Sequence, residues 1–375
     1  MNFDLTEDQV LLAHSLEGYL ADRYTPSVQA PGTHWRNFAA LGWLGAALPE
    51  AVGGSGGGPV ETMVVMEAFG RHTVVEPYLA AVLLGAGVLR RGGPAPDIGN
   101  GPRPDAALLA GVADGSVQLA VGYAEAQAGF DLHNVLTEAA RVEGGWRLDG
   151  RKTMVLNARD AHFIIVSARC AGSGIGLFLM PGDAPGLQKR GYATQDGLAA
   201  ADLVLNGVVV PASALVVQPT RGGAVLEAVV DEASAALCAM ALGGMTACLE
   251  ATVGYLRLRR QFGRPLASFQ ALQHRMVDMH VALEESRSLV MAATIALQAG
   301  QGVRQAVSAA KIHVGEAARL LGEEAVQMHG GIGMTDDYPI SPLYKRLLTC
   351  ATLFGDVDHH VGRYAAELAT TGEQP

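Results

Sequence analysis

The sequence predicts a mixed α and β fold: an N-terminal helical domain over residues 1–115, a middle antiparallel β-domain over 116–218, and a C-terminal four-helix bundle over 219–375. Three observations predict it. Helical patterning dominates both ends, the centre breaks into short segments divided by glycine turns, and helix-stop residues separate four long C-terminal segments. With 375 residues, 39.0 kDa and 49% hydrophobic residues, the chain can bury more than one core, and two or three subdomains are expected.

In the first third, Thr6 can cap a helix from Glu7 to Tyr19, a second helical segment surrounds Trp35 to Leu41, and Val60 to Arg71 and Pro77 to Leu89 follow. The glycines from Gly53 to Gly58 lack a following Gly-Lys-Ser/Thr and a preceding strand, so they read as a helix connection, not a phosphate cradle. Gly92 to Asp105, dense in Gly and Pro, reads as a loop. Between Val117 and Val217, the segments Val135–Thr137, Trp146–Leu148, His162–Ala168 and Ile175–Met180 read as strands.

From Ala224 onward, helices are predicted at about 224–260, 268–299, 302–329 and 339–369, with breaks at Gly263/Pro265, Gly300/Gly302 and Gly330-Gly331 with Pro339. Leu272, Met276, Met279 and Leu283, and Val307, Ile312, Val314, Leu320 and Leu321, suit a packed bundle. The uncharged run Ala233 to Leu249 is bracketed by Asp231, Glu232 and Glu250, which favours a buried helix over a membrane span.

The formal net charge of −10 gives no basic field for nucleic acid or anionic lipid, and Arg257, Arg259, Arg260 and Arg264 form a local cluster only. No basic stretch precedes an apolar run at the N-terminus, so no signal peptide and a cytoplasmic protein are expected. Cys170, Cys238, Cys248 and Cys350 lack metal-ligand spacing and read as reduced, mostly buried thiols. Asp356, His359 and His360 could share a helix face, but without further ligands a polar face is the better reading, as core or interface packing is for His280 and His313. No Gly-x-Ser-x-Gly elbow is present.

Two motifs carry the functional reading: Leu258 through Leu266, L-R-R-Q-F-G-R-P-L, and Gln327 through Thr335, Q-M-H-G-G-I-G-M-T. The first sets cations and an aromatic ring at a turn, and the second ends a helix in glycines that a phosphate could approach closely. With Leu41-Gly42-Trp43-Leu44-Gly45 and the run Phe269 through Met279, F-Q-A-L-Q-H-R-M-V-D-M, they closely resemble the acyl-CoA dehydrogenase family. Gly330 through Arg346 and Leu353 through His360 most resemble small subunits of heteromeric members such as pimeloyl-CoA dehydrogenase.

The resemblance implies FAD bound across a subunit interface, one chain holding the flavin ring and acyl-CoA and its neighbour the diphosphate and adenine. For the neighbour's role it implies Arg259 on the diphosphate, Phe262 and Leu266 packing around adenosine, and Gln270, Gln327 and Gly331 as polar and backbone contacts, with Gln261 and Gly330 in the same two motifs. For the ring's role the pattern fails. The family's T-E-P-x-A-G-S-D reads Ala124 through Asp131 without its hydroxyls, W-I-T-N reads Met154-Val155-Leu156-Asn157, and the catalytic Y-E-G-T reads Leu353-Phe354-Gly355-Asp356. The alternative position of the family's glutamate falls at Ala233, and Glu232 beside it is rotated by about 100° on a helix.

These correlated losses imply no catalytic residue in this chain. They imply an FAD-dependent dehydrogenase subunit that acts with a second acyl-CoA dehydrogenase chain in a heterotetramer, on a bulky or polar acyl-CoA in lipid or steroid catabolism, with an electron-transfer flavoprotein or similar acceptor. The alternatives are a homo-oligomeric flavoenzyme using Glu232 as an unusual base, and a scaffold that binds no flavin.

Overall fold

The computed structural model describes residues 4–25, 31–92 and 104–372. Most of the expected 92–105 loop lies outside them. The chain separates into two compact units, one of residues 1–29, 58–74 and 234–375, the other of residues 30–57 and 75–233.

The second unit is built on a sheet. Its strands are β1 (Leu119–Gly122), β2 (Glu138–Val142), β3 (Gly145–Leu156), β4 (Phe163–Cys170), β5 (Gly174–Pro181), β6 (Leu187–Ala193), β7 (Ala199–Pro211) and β8 (Leu215–Val217), in the order β6-β7-β3-β2-β4-β5-β8 with β1 also pairing β4. Antiparallel pairing predominates, as expected, while β1 and β2 each run parallel to β4. Ile164, Val166, Phe178, Leu148 and Leu203 are buried in its core, where Trp146 meets Phe178 edge-on at 5.2 Å.

Val135–Thr137 is not a strand. The Leu136 and Thr137 backbone N–H groups donate to the Glu125 carboxylate at 2.8 and 3.1 Å instead of to a ladder, and pairing begins at Glu138. β6 escaped the pattern because most of it is exposed, and β7 because it begins in a run of alanine. The helices of this unit are α2 (Trp35–Ala40), α4 (Ala86–Gly92) and α5 (Pro104–Ala113). Before α4 the predicted helix is π-wound over Leu79–Gly85, where a Cβ on Gly85 would lie 2.5 Å from the Leu119 Cβ.

The first unit is helical: α1 (Glu7–Arg23), α3 (Pro59–Arg71), most of α6 (Gly222–Leu258), α7 (Gln270–Ala299), α8 (Val303–His329), α9 (Ile340–Thr352) and α10 (Val357–Gly372). Thr6 closes a capping box with Gln9, and α1 runs one turn past Tyr19. α3 and α6 approach closely through glycines, since a Cβ on Gly70 would stand 1.7 Å from the Met240 carbonyl oxygen and one on Gly243 1.8 Å from that of Glu67. None of the four cysteines is in a disulfide, and all four are buried.

Two expectations change. Leu320 is 39% exposed and not core, and Ile312 is half-buried. The segment predicted at 339–369 splits into α9 and α10, because Phe354 (φ +64°) and Gly355 (φ +120°) are left-handed or beyond, while the buried Lys311 ammonium donates to the Cys350 and Leu353 carbonyls at 2.9 and 2.8 Å. Among the described residues no helix is long and apolar enough to cross a membrane, and no group of three or more His, Cys, Asp or Glu could hold a metal.

Candidate functional site

The end of α6 passes directly into a two-stranded hairpin, β9 (Arg260–Gln261) and β10 (Arg264–Pro265), with Arg264 opposite Gln261. Phe262 and Gly263 form its turn with φ of +53° and +79°, the left-handed geometry such tight hairpins require. The Arg259 N–H donates to the Tyr255 carbonyl at 2.8 Å and the Leu266 N–H to the Arg259 carbonyl at 2.8 Å, closing the base. Phe269 braces it: the Arg264 guanidinium lies 4.0 Å over its ring and Phe262 meets it edge-on at 6.0 Å. Phe262 itself is 88% exposed.

The second motif ends α8. Gly330 (φ +66°) turns the chain out of the helix into a short 3₁₀ turn, Gly330–Met334. His329, the last residue of α8, stacks on Tyr255 of α6 with ring centroids 4.5 Å apart and meets Tyr338 at 5.2 Å on another side. The two motifs, distant in sequence, are thereby tied through a residue just before the first and one within the second.

The predicted site residues divide clearly. Arg259, Gln261, Phe262, Gln270, Gln327, Gly330 and Gly331 are exposed, and Leu266 is half-buried. Among the described residues the side chains of Arg259, Gln261, Gln270 and Gln327 have no hydrogen-bond or ion-pair partner. A Cβ on Gly330 or Gly331 would meet nothing within 4 Å, so the turn lies open. The Arg259 guanidinium, these glutamine amides and an open glycine turn suit a diphosphate with hydrogen-bonding edges beyond it. A guanidinium and primary amides are hydrogen-bond donors and not proton-transfer groups near neutral pH.

The other motif positions are structured differently. Glu125 is buried and accepts from Lys152 Nζ at 2.7 Å and Thr137 Oγ1 at 2.7 Å; burial alone would raise its pKa, but Lys152 and the other donors outweigh it and hold it low. Burial pushes the Lys152 ammonium down despite Glu125. Met154 (φ +50°) is exposed, and its backbone N–H donates to Asp202 at 3.1 Å. Asn157 donates its amide N–H groups to Gln118 Oε1 and the Leu119 carbonyl, both at 3.3 Å. Phe354 and Ala233 are both buried.

Glu232 is bound by Arg90 and Arg91. Asp356 caps α10 through the His359 N–H at 2.9 Å, and His360 is buried with its Nε2 3.2 Å from the Phe354 carbonyl, its pKa pushed down to about 3 by burial and then by Lys311. His313 is half-buried beside Glu285, at 3.5 Å, and His280 is exposed. Lys152 and Lys311 carried no motif mark in the sequence pattern, and His329 stood in its motif without a role of its own. A lysine midway between Val307 and Val314 on an apolar helix face was the available signal for Lys311.

The sequence matches the acyl-CoA dehydrogenase N-terminal domain over residues 6–95, the middle domain over 120–208 and the C-terminal domain over 220–369. It is 30% identical over 330 residues to the mitochondrial isovaleryl-CoA dehydrogenase of Oryza sativa subsp. japonica, covering 85% of this chain and 78% of that one. Among solved structures it is similar to the ChsE4-ChsE5 complex from Mycobacterium tuberculosis, at 26% identity and TM-score 0.88 over 100% of each chain. It is likewise similar to a variant of the Tcur3481-Tcur3483 steroid ACAD, at 31% identity and TM-score 0.87 over 98% of this chain and 99% of that one.

Proposed function

Given that the chain belongs to the acyl-CoA dehydrogenase family, we propose that it is the half-site subunit of a heteromeric enzyme, completing an FAD site whose ring side and catalytic glutamate come from a second acyl-CoA dehydrogenase chain. Bound FAD would supply the hydride acceptor for the β-carbon of an acyl-CoA, and a carboxylate the base for its α-proton. In this reading Arg259 holds the diphosphate, Phe262 and Leu266 flank the adenosine, Gln261, Gln270 and Gln327 hydrogen-bond its polar edges, and Gly330 and Gly331 let backbone come close. The division into 1–115, 116–218 and 219–375 is proposed on the same reading.

One observation carries the reading. The chain presents an exposed, unpaired set of diphosphate-type donors, while the residues at both family base positions, Phe354 and Ala233, are buried and without a carboxylate. The donor set fits the adenosine half of the cofactor. The ring half does not fit, because Met154 and Leu156 supply neither the stacking ring nor the hydroxyl of the family's W-I-T-N, and Ala124 and Phe130 carry no hydroxyl. The two structural neighbours named above support a two-component assembly and a bulky, steroid-type acyl-CoA, and an electron-transfer flavoprotein or similar protein is the proposed acceptor.

A homo-oligomeric enzyme with Glu232 as base is the second reading. It is disfavoured because Arg90 and Arg91 occupy that carboxylate. The test is to co-purify this chain with an acyl-CoA dehydrogenase chain encoded beside it and measure the flavin-to-protein ratio. One FAD for every two chains, and none on this chain alone, is expected. One FAD per chain sinks the half-site proposal, and no FAD under either condition favours a flavin-free scaffold.

A further inference from the structure

His329 lies inside the second motif without being one of its predicted ligand contacts, and it is where the two motifs meet. Its ring is buried, 4% exposed, and stacks on Tyr255 at an interplanar angle of 29°. Tyr255 accepts the Arg259 N–H through its own carbonyl, so displacing the tyrosine displaces the arginine's backbone. On the other flank His329 is joined covalently to Gly330, so displacing the ring displaces the glycine turn. Tyr338 then packs on the ring after the chain has folded back through successive turns, with the Thr335 N–H donating to Ile332 and the Tyr338 N–H to Thr335, each at 3.2 Å. Gly333 permits the fold-back, for a Cβ there would lie 3.1 Å from the His329 Cβ and 3.2 Å from the Val326 carbonyl.

The ring is held by packing more than by hydrogen bonds. Its Nδ1–H donates to the Ala325 carbonyl within its own helix at 2.7 Å. Nε2 is buried and makes no hydrogen bond in good geometry, although the Ala251 carbonyl of α6 lies near enough to favour the charged form; burial outweighs that and keeps the imidazole neutral below its ordinary range. With no hydrogen bond in good geometry, Nε2 adds little to the link between α6 and α8. The aromatic faces remain.

We infer that His329 is a positioning residue: sandwiched by Tyr255 and Tyr338, it sets the spacing between the Arg259 hairpin and the Gly330 turn, and with it the spacing of the diphosphate and adenosine contacts. The inference rests on the reading of that surface as half of an FAD site. A purely local packing role would affect the end of α8 alone, whereas the stack couples two segments on different helices.

The test compares His329→Ala and His329→Phe with the native chain by amide hydrogen exchange, and then by FAD retention in the assembled heteromer, with Arg259→Ala as a reference. His329→Ala is expected to speed exchange about tenfold in both 259–266 and 330–335, leave β3 to β5 unchanged, and lower FAD retention about tenfold. His329→Phe, which keeps an aromatic ring and gives up the intrahelical Nδ1–H bond to Ala325 together with Nε2, is expected to restore both. Unchanged exchange in the 259–266 hairpin of His329→Ala overturns the inference whatever happens to FAD, as does failure of the phenylalanine to rescue. If His329→Ala loosens both segments but neither it nor Arg259→Ala alters FAD retention, the placement of FAD on this surface is overturned instead, and cofactor positioning falls with it.

Discussion

Arg90 places its guanidinium 3.3 Å from one oxygen of the Glu232 carboxylate, and Arg91 closes on the other oxygen. A general base needs a free lone pair aimed at the proton it removes. Glu232 has both oxygens engaged by guanidinium groups instead. Turnover of the assembled enzyme is therefore expected to survive Glu232→Gln within about threefold, set against the roughly 10²–10⁴-fold loss that follows removal of a general base. Steady-state kinetics at matched FAD content checks this, and a loss of the larger size makes this chain catalytic.

Arg259 is exposed and unpaired among the described residues, so removing it should disturb ligand and not fold. Arg259→Ala is expected to weaken FAD retention in the heteromer by about 1.5–3 kcal/mol, the range of a charge-assisted hydrogen bond, with no change in Tm of the flavin-free chain. Flavin affinity equal to that of the native complex removes Arg259 from the site.

His360 gives the fold a defined acid sensitivity. It is buried, with Lys311, His359 and Arg363 all adding unfavourable charge, and its pKa falls from 6.5 to about 3. The unfolded chain takes up this proton near pH 6.5 and the folded chain only near pH 3, so the unfolded state gains protons first and stability declines as pH falls through that window. Denaturant titrations from about pH 7 to about pH 4 should show the decline, and His360→Gln should flatten its slope. An equal slope in the variant assigns the acid sensitivity elsewhere.

Gly70 and Gly243 hold α3 and α6 at backbone contact. With clearances of 1.7 and 1.8 Å to carbonyl oxygens, a methyl group at either position forces the helices apart. Gly70→Ala is expected to destabilise by about 3 kcal/mol, at the upper end of overpacking effects, and to lower Tm by several degrees. Gly58→Ala, where a Cβ would meet nothing within 4 Å, is the matched control. Equal thermal shifts for the two variants contradict the close crossing.

The legible parts of the molecule were those with local causes. Thr6 announces the start of α1, Gly300 and Gly302 the turn between α7 and α8, and Gly263 and Gly330 the turns of the two motifs, since each acts on backbone within a few residues. The candidate site was legible as residue types because Arg259, Gln327 and their neighbours lie in short unbroken motifs. The exposed edge strand β6 and the alanine-led β7 were not legible, because neither alternates as a half-buried strand does.

By itself the sequence determined the three-part order of helix, sheet and helix, the stops between the long helices, and the absence of a carboxylate at Phe354 and Ala233. Tertiary structure alone decided that Glu125 takes the Leu136 and Thr137 amides from the sheet, that Lys311 splits the last helical segment before Phe354, and that His329 joins Tyr255. Each of those contacts joins groups well separated along the chain or brings a buried charge to a backbone carbonyl, and no local propensity encodes which distant group will arrive.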